Sequence, residues 1–261
     1  MDETTEVISL ICPTRHRPEN VNNFVSSALL QAERPDALQF VFYVDEDDNT
    51  FPLIESSQIT VVTGPRTALS LMSNACLPRV VGEILMYAGD DLEFISSGWD
   101  SIVRNCFRSV PDKILLVHGD DLGQNPKKLA THGFLHRTWV DTVGYFIPPY
   151  FPADWADTWL TQVADRIHRR WLVPELHIEH KHYAWGKGTI DQTHEERIAR
   201  LKSENLGSRY RRLRPERRLD AKKLKAQMDS LELPVIKRMG VSNRLLPTPG
   251  TRVLHRPRWL Q

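Results

Sequence analysis

Short apolar runs alternate, over the first 120 residues, with stretches whose apolar positions recur every three or four residues. The runs are residues 7–12 (VISLIC), 38–44 (LQFVFYV), 59–63 (ITVVT), 83–88 (EILMYA) and 113–118 (KILLVH). Each is rich in β-branched or aromatic side chains and stops at Pro, Gly or acidic residues, which predicts strands buried on both faces. Between them, Val21, Phe24, Val25, Ala28 and Leu29 make one stripe of a helix over 19–31. Residues 68–77 and 97–108 carry the same period, the latter through Trp99, Ile102, Val103 and Cys106. Strands alternating with helices predict an α/β fold with a mostly parallel, doubly wound central sheet flanked by helices.

Past residue 125 the pattern loosens. Residues 134–139 read as a further strand, Pro148, Pro149 and Pro152 interrupt, 155–171 resume a helical period, and 176–183 (LHIEHKHY) alternate as a strand. Helical patterns return near 192–206 and 219–230. Pro234, Pro247, Pro249 and Pro257 predict an extended tail.

In sheets of this class ligands gather beyond the carboxyl ends of the strands. Those ends carry Arg15, Asp45, Asp90, Asp91 and Asp120. One or two carboxylates completed by substrate phosphates are a common way to hold Mg²⁺ or a similar hard cation; the competing reading is a solvated Asp-Asp turn. His180 and His182 share one face of a strand while His177 lies opposite, so two imidazoles can face one site. Isolated histidines are more often surface or satisfied core residues. The HxH spacing beside an Asp pair weighs against that.

Charge adds a second feature. The chain has 261 residues and a net charge of +1, yet residues 1–196 hold 16 Lys and Arg against 28 Asp and Glu, and residues 197–261 hold 18 against 5. An acidic body (1–196) followed by a basic helical or extended appendage (197–261) is the expected organisation, the appendage meeting a polyanion or the acidic body itself. Residues 209–225 alone carry nine basic residues and two acids, with Tyr210 interleaved. The longest apolar runs fall far short of the roughly 20 residues of a membrane span, and the acidic N-terminus lacks the form of a secretory signal. Three scattered cysteines, Cys12, Cys76 and Cys106, suit core positions in a reducing compartment. Together these give a soluble, cytoplasmic expectation.

Over residues 6–194 the chain resembles the GT-A glycosyltransferases, close to the family 2 type. The resemblance rests on Pro13-Thr14-Arg15 after the first strand, Asp45 ending the second, the SLMSNAC helix with Asn74, the AGDD strand end (88–91), Asp157 in ADTWL, and HIEHKHYAWGKGTIDQTH (177–194). It implies transfer of a sugar from a nucleotide diphosphate sugar, UDP-linked by expectation, to an acceptor hydroxyl with inversion. It places Pro13, Thr14, Arg15, Asp45, Asn74 and Asp90 at the nucleotide sugar. It places one of the adjacent carboxylates, Asp91 in preference to Asp90, on Mn²⁺ or Mg²⁺ with His180 or His182, His180 preferred. Ala88 stands where the usual DxD motif has its first Asp, making this an AxDD variant. Asp157 matches the position of the catalytic base, with Asp154 one helical turn away as the alternative; a helix cap or first-turn charge is the plain reading of either.

Trp155 is the acceptor candidate among the aromatic residues here, the others being expected in the core. Arg211 and Arg212 are acceptor candidates within the basic segment, because Lys and Arg contacts to phosphates dominate nucleic-acid affinity. A hydroxymethylated base in DNA, as bacteriophage-encoded transferases modify, is therefore one expected acceptor, and a polysaccharide or other glycan the other. Two further classes remain. A nucleotidyltransferase is disfavoured because residues 14–19 (TRHRPE) lack glycine. A non-catalytic nucleic-acid-binding protein on this scaffold is disfavoured by the intact Asp90, Asp91, Asp157 and His180 set. Oligomeric state leaves no signature.

Overall fold

The first two apolar runs form strands β1 (Ile8–Thr14) and β2 (Leu38–Asp45), joined by helix α1 (Pro18–Gln31), and both strands are almost wholly buried. The computed structural model describes residues 6–52, 56–152, 154–188, 190–202 and 205–239. Further along the chain come β3 (Ile59–Gly64), α2 (Leu69–Ala75), β4 (Ile84–Tyr87), β5 (Leu92–Phe94), α3 (Trp99–Arg108) and β6 (Leu116–Asp120). Then follow β7 (Gly133–His136), α4 (Arg137–Val143), α5 (Ala156–Arg166), β8 (Arg170–His180), α6 (Gln192–Lys202), α7 (Leu206–Arg212) and α8 (Arg214–Met239).

The strands form one sheet in the order β3-β2-β1-β4-β7-β6-β8-β5. Its first half is parallel, as the alternation of runs and helices predicts. The second half is mixed: β7 runs antiparallel to both β4 and β6, and β5 antiparallel to β8. A parallel return requires a crossover, usually helical. The link between β6 and β7 contains no helix, so β7 comes back antiparallel.

Side-chain alternation divides the core between the two faces of the sheet. Ile8, Leu10 and Cys12 of β1 join Phe24, Phe40, Phe42 and Trp99 on one side, whereas Ile11, Val41 and Tyr43 join Trp139, Phe146 and Trp159 on the other.

Three expectations are corrected here. The helix expected over 155–171 ends at Arg166, His168 turns the chain at φ 57, and an eleven-residue strand starts at Arg170. Residues 134–139 divide between β7 and α4, where the His136 side chain accepts from the Thr138 amide and caps the helix. The tail expected to be extended is helical through Pro234 to Met239, and residues 240–261 lie outside the described residues. The basic segment also shares the body's core. Leu206, Ala221 and Leu224 pack with Trp139 and Trp159, and the Asp220 carboxylate accepts from the Trp159 indole N–H at 3.0 Å and from the Tyr145 hydroxyl. Among the described residues no helix is long and apolar enough to cross a membrane.

Candidate functional site

Sheet register assembles the site. β1, β2 and β4 are parallel and in register, Thr14 beside Val44 and Ile11 beside Tyr87, so their carboxyl ends share one edge. Because β7 is antiparallel to β4, with Gly133 opposite Tyr87, its first residues arrive at that same edge and bring His132. The pairing of Leu92 with His180 sets β8's last residue next to Asp91. These segments, the N-terminus of α5 and the first turn of α6 line one cleft of about 290 Å³.

Ten of the residues expected in the site line this cleft: Pro13, Thr14, Arg15, Asp45, Asp90, Asp91, Asp154, Asp157, His180 and His182. Four do not. Asn74 is fully engaged in the fold: its amide donates to the Ser70 and Ile147 carbonyls, and its oxygen accepts from the Phe146 and Ile147 amides. Trp155 packs on Tyr210 with ring centroids 4.8 Å apart. Arg211 and Arg212 lie exposed on α7. Asp120, noted at a strand end, caps its own turn by accepting from the Leu122 amide.

The two adjacent carboxylates have different surroundings. Asp90 is buried, accepts from the Thr14 hydroxyl at 2.7 Å and from Arg17 at 3.0 Å, and has its pKa pushed up by burial and Asp91 against the pull of Arg17. Asp91 sits 3.1 Å from His180 Nε2. Burial pushes Asp91 up, but the hydrogen bond and charge of His180, with His132 and Arg17, outweigh it and hold Asp91 well below the usual carboxylate range. Gly89 leaves room for this arrangement, since a Cβ there would stand 2.7 Å from Asp91 Oδ1.

In the same cleft Arg15 donates to Asp45 Oδ2 at 2.9 Å and to Asp47, while Asp45 Oδ1 is buried without a partner. In the first turn of α5, Asp157 accepts from the Thr158 amide at 2.6 Å, and burial pushes its pKa up. Asp154 is instead ion-paired with Arg197. Trp155, between them, holds a left-handed conformation (φ 78) that a side chain of this size adopts at a cost of about 1–3 kcal/mol.

Several lining residues escaped the sequence reading. Arg17 grips Asp191 through two hydrogen bonds of 2.7 and 2.9 Å while holding Asp90, and His194 lies against its guanidinium. Arg66 pairs with Glu196. The D-x-x-H spacing of Asp191 and His194 is a signal that was available. His132, a single histidine in a loop, offered none. Its ring meets His180 edge-on at 4.7 Å, both of its nitrogens are buried without partners, and burial pushes its pKa down to about 4.

Among the described residues no three His, Cys, Asp or Glu donors already converge on one point. Asp91 and His180 nevertheless fit a divalent cation. Adjacent donors around an octahedral ion with bonds of about 2.1 Å are about 3 Å apart, which matches their 3.1 Å separation. Such an ion draws its remaining ligands from water and phosphate oxygens.

No protein-family model and no curated protein sequence matches the chain. Solved structures do. The mannosyltransferase PcManGT from Pyrobaculum calidifontis, in complex with GDP-Man and Mn²⁺, aligns with a TM-score of 0.60 and 13% identity over 92% of this chain and 77% of its own. S. aureus TarS 1–349 in complex with UDP aligns with a TM-score of 0.52 and 13% identity over 66% of this chain. The chain spans 59% of that TarS polypeptide. The fold is GT-A. At such identity the likeness extends to the fold, and the chemistry has to be argued from this chain's own GT-A cleft.

Proposed function

We propose that the protein is a divalent-cation-dependent glycosyltransferase that moves a sugar from a UDP-sugar to an acceptor hydroxyl with inversion. The observation that carries this reading is the disposition of the cleft: Asp91 and His180 as a cation-sized donor pair, an unpartnered Asp45 oxygen in the same cleft, and a half-buried Asp157 that, among the described residues, has no cationic partner at hydrogen-bonding distance. PcManGT with its GDP-Man and Mn²⁺, and TarS with its UDP, support it through the shared fold.

In this reading Asp45 Oδ1 accepts the N–H of the nucleobase, and Thr14 and Arg17 hold Asp90 toward the ribose or donor sugar. Asp91 with His180, or His182 in its place, holds Mn²⁺ or Mg²⁺, which supplies positive charge to the departing diphosphate. Asp157 removes the acceptor hydroxyl proton as that oxygen attacks the anomeric carbon and the bond to the diphosphate breaks. Raising a carboxylate's pKa by burial makes it a better base. Asp154, neutralised by Arg197, is the weaker candidate. The three buried, free cysteines suit action in the cytoplasm, a host's cytoplasm for a phage enzyme. A hydroxymethylated DNA base is the acceptor we favour, and a glycan is the alternative.

Release of UDP from UDP-glucose in Mn²⁺ tests the reading, with hydroxymethylcytosine-containing duplex compared with its unmodified counterpart. Mn²⁺-dependent release that Asp91→Asn abolishes is the expected result, and stimulation by the modified duplex alone assigns the acceptor. If UDP is neither bound nor released with Mn²⁺, the transferase reading falls and a non-catalytic binding protein takes its place.

A further inference from the structure

Among the described residues most cations of the acidic body, 11 of its 16, are paired with acids. Arg15, Arg17, Arg66, Arg104, Lys181 and Lys187 each make an ion pair. The basic segment behaves differently. Arg212, Arg214, Arg218, Lys222 and Lys225 are exposed and, among the described residues, make neither an ion pair nor a hydrogen bond, and Arg211 reaches only the Ser208 hydroxyl at 3.0 Å. The segment's two acids are withdrawn from that surface: Asp220 is buried and Glu216 half-buried.

The periodicity of α8 explains the separation. Arg217, Asp220, Ala221 and Leu224 follow a helical spacing and face α4 and α5. Arg214, Arg218, Lys222 and Lys225 follow the same spacing on an exposed flank about 100° round the helix from that stripe. A segment that served to neutralise the body would hold these cations in ion pairs, as Arg197 is held by Asp154. It packs through its apolar residues instead and leaves the charge outside.

We infer that the outer face of α7 and α8 is a docking surface for duplex nucleic acid. The ridge from Arg214 to Lys225 runs roughly 16 Å, a length over which a duplex presents about ten phosphates. Four of its six cations, counting Arg211 and Arg212, are arginines, whose planar fork matches phosphate oxygens. An anionic lipid surface fits less well, because an interfacial helix must submerge a continuous apolar face, whereas on α8 Ala221 and Leu224 are covered by the protein and, among the described residues, Leu219 and Leu231 are the large apolar side chains left exposed. The surface adjoins the cleft: Tyr210 of α7 stacks on Trp155, beside Asp154 and Asp157, and Arg217 lies over the Tyr210 ring at 3.7 Å. That a docked duplex supplies the acceptor rests on the transferase reading; the docking does not.

Fluorescence anisotropy of a labelled, unmodified 24-base-pair DNA duplex, in EDTA and without nucleotide, tests the surface in the full chain. Affinity should fall steeply with NaCl. Replacing Arg214, Arg218, Lys222 and Lys225 together by Gln should weaken binding more than tenfold and flatten the log–log salt slope by about 0.9 per lost phosphate contact. Lys225→Gln alone should weaken it a few-fold, which preserves the test if the quadruple variant loses helicity by circular dichroism. Unchanged affinity and slope in the folded variants would overturn the inference, as would binding to vesicles of 3:1 phosphatidylcholine and phosphatidylserine with none to the duplex. UDP binding in Mn²⁺, measured separately, distinguishes the two readings: a protein that binds duplex but not UDP keeps this surface and loses the transferase assignment.

Discussion

Asp157 and Asp154 stand three residues apart and face the same cleft, yet their partners set different chemistry. Arg197 neutralises Asp154, while burial raises Asp157 against only the local pull of the Thr158 amide and hydroxyl and a weak Arg197 field. Asp157→Asn is therefore expected to leave UDP affinity nearly intact and to lower turnover by about 10²–10⁴-fold, read by steady-state kinetics beside nucleotide titration. In the native protein kcat/KM should decline as pH falls through the raised Asp157 pKa, because the protonated carboxyl cannot accept the acceptor's proton. A larger kinetic loss from Asp154→Asn would give the base role to that residue. Both positions were legible in the sequence, since a carboxylate at the start of a helix is visible in a one-dimensional pattern. Which of them is neutralised was not, because Arg197 is contributed by another helix 43 residues away.

At the scale of elements, α3 shows how a helix is tied to the sheet edge beneath the site. Asp100 and Arg104, one turn apart, are both fully buried and ion-paired. Asp100 also accepts from the Glu33 and Arg34 amides at 2.7 and 2.9 Å, just beyond the end of α1, and Arg104 donates to the carbonyls of Glu6 and Ala37. Removing one member of a buried pair strands the other. Asp100→Ala should lower the unfolding free energy by about 3–5 kcal/mol, measured by urea denaturation, without altering the cleft's own residues. Strands β1 to β4 and helices α1 to α3 were readable because burial on both faces or on one stripe leaves a periodic trace. β5 left none: three residues are too few for a period, and its existence depends on β8 lying alongside. The engagement of Asn74 was hidden for a related reason, since Phe146 and Ile147, which bond it alongside Ser70 of its own helix, belong to the loop after α4.

For the molecule as a whole, histidine burial controls the response to acid. His118, His132, His136 and His182 are each pushed down to about 4, chiefly by burial. Their unfolded counterparts take up protons near 6.5, so unfolding binds protons between those values. The stabilisation is complete above about pH 6.5 and is lost as pH falls toward 4; below that, the depressed carboxyls of Asp91 and Asp191 lose theirs. Denaturant melts in metal-free buffer should show unfolding free energy dropping from pH 7 to pH 5, and a flat profile would contradict the buried, neutral state of these rings. The charge imbalance was plain in the sequence, whereas its arrangement, cations outward and Leu224 inward, required knowing what α8 packs against. The pairing of Leu92 with His180 carries one more consequence. Asp91 meets its imidazole only after 88 intervening residues have been synthesised and β8 has settled beside β6, so a growing chain keeps the two members of this pair apart until residue 180 has emerged. A nascent chain that stops before residue 180 therefore lacks the contact between Asp91 and His180 altogether.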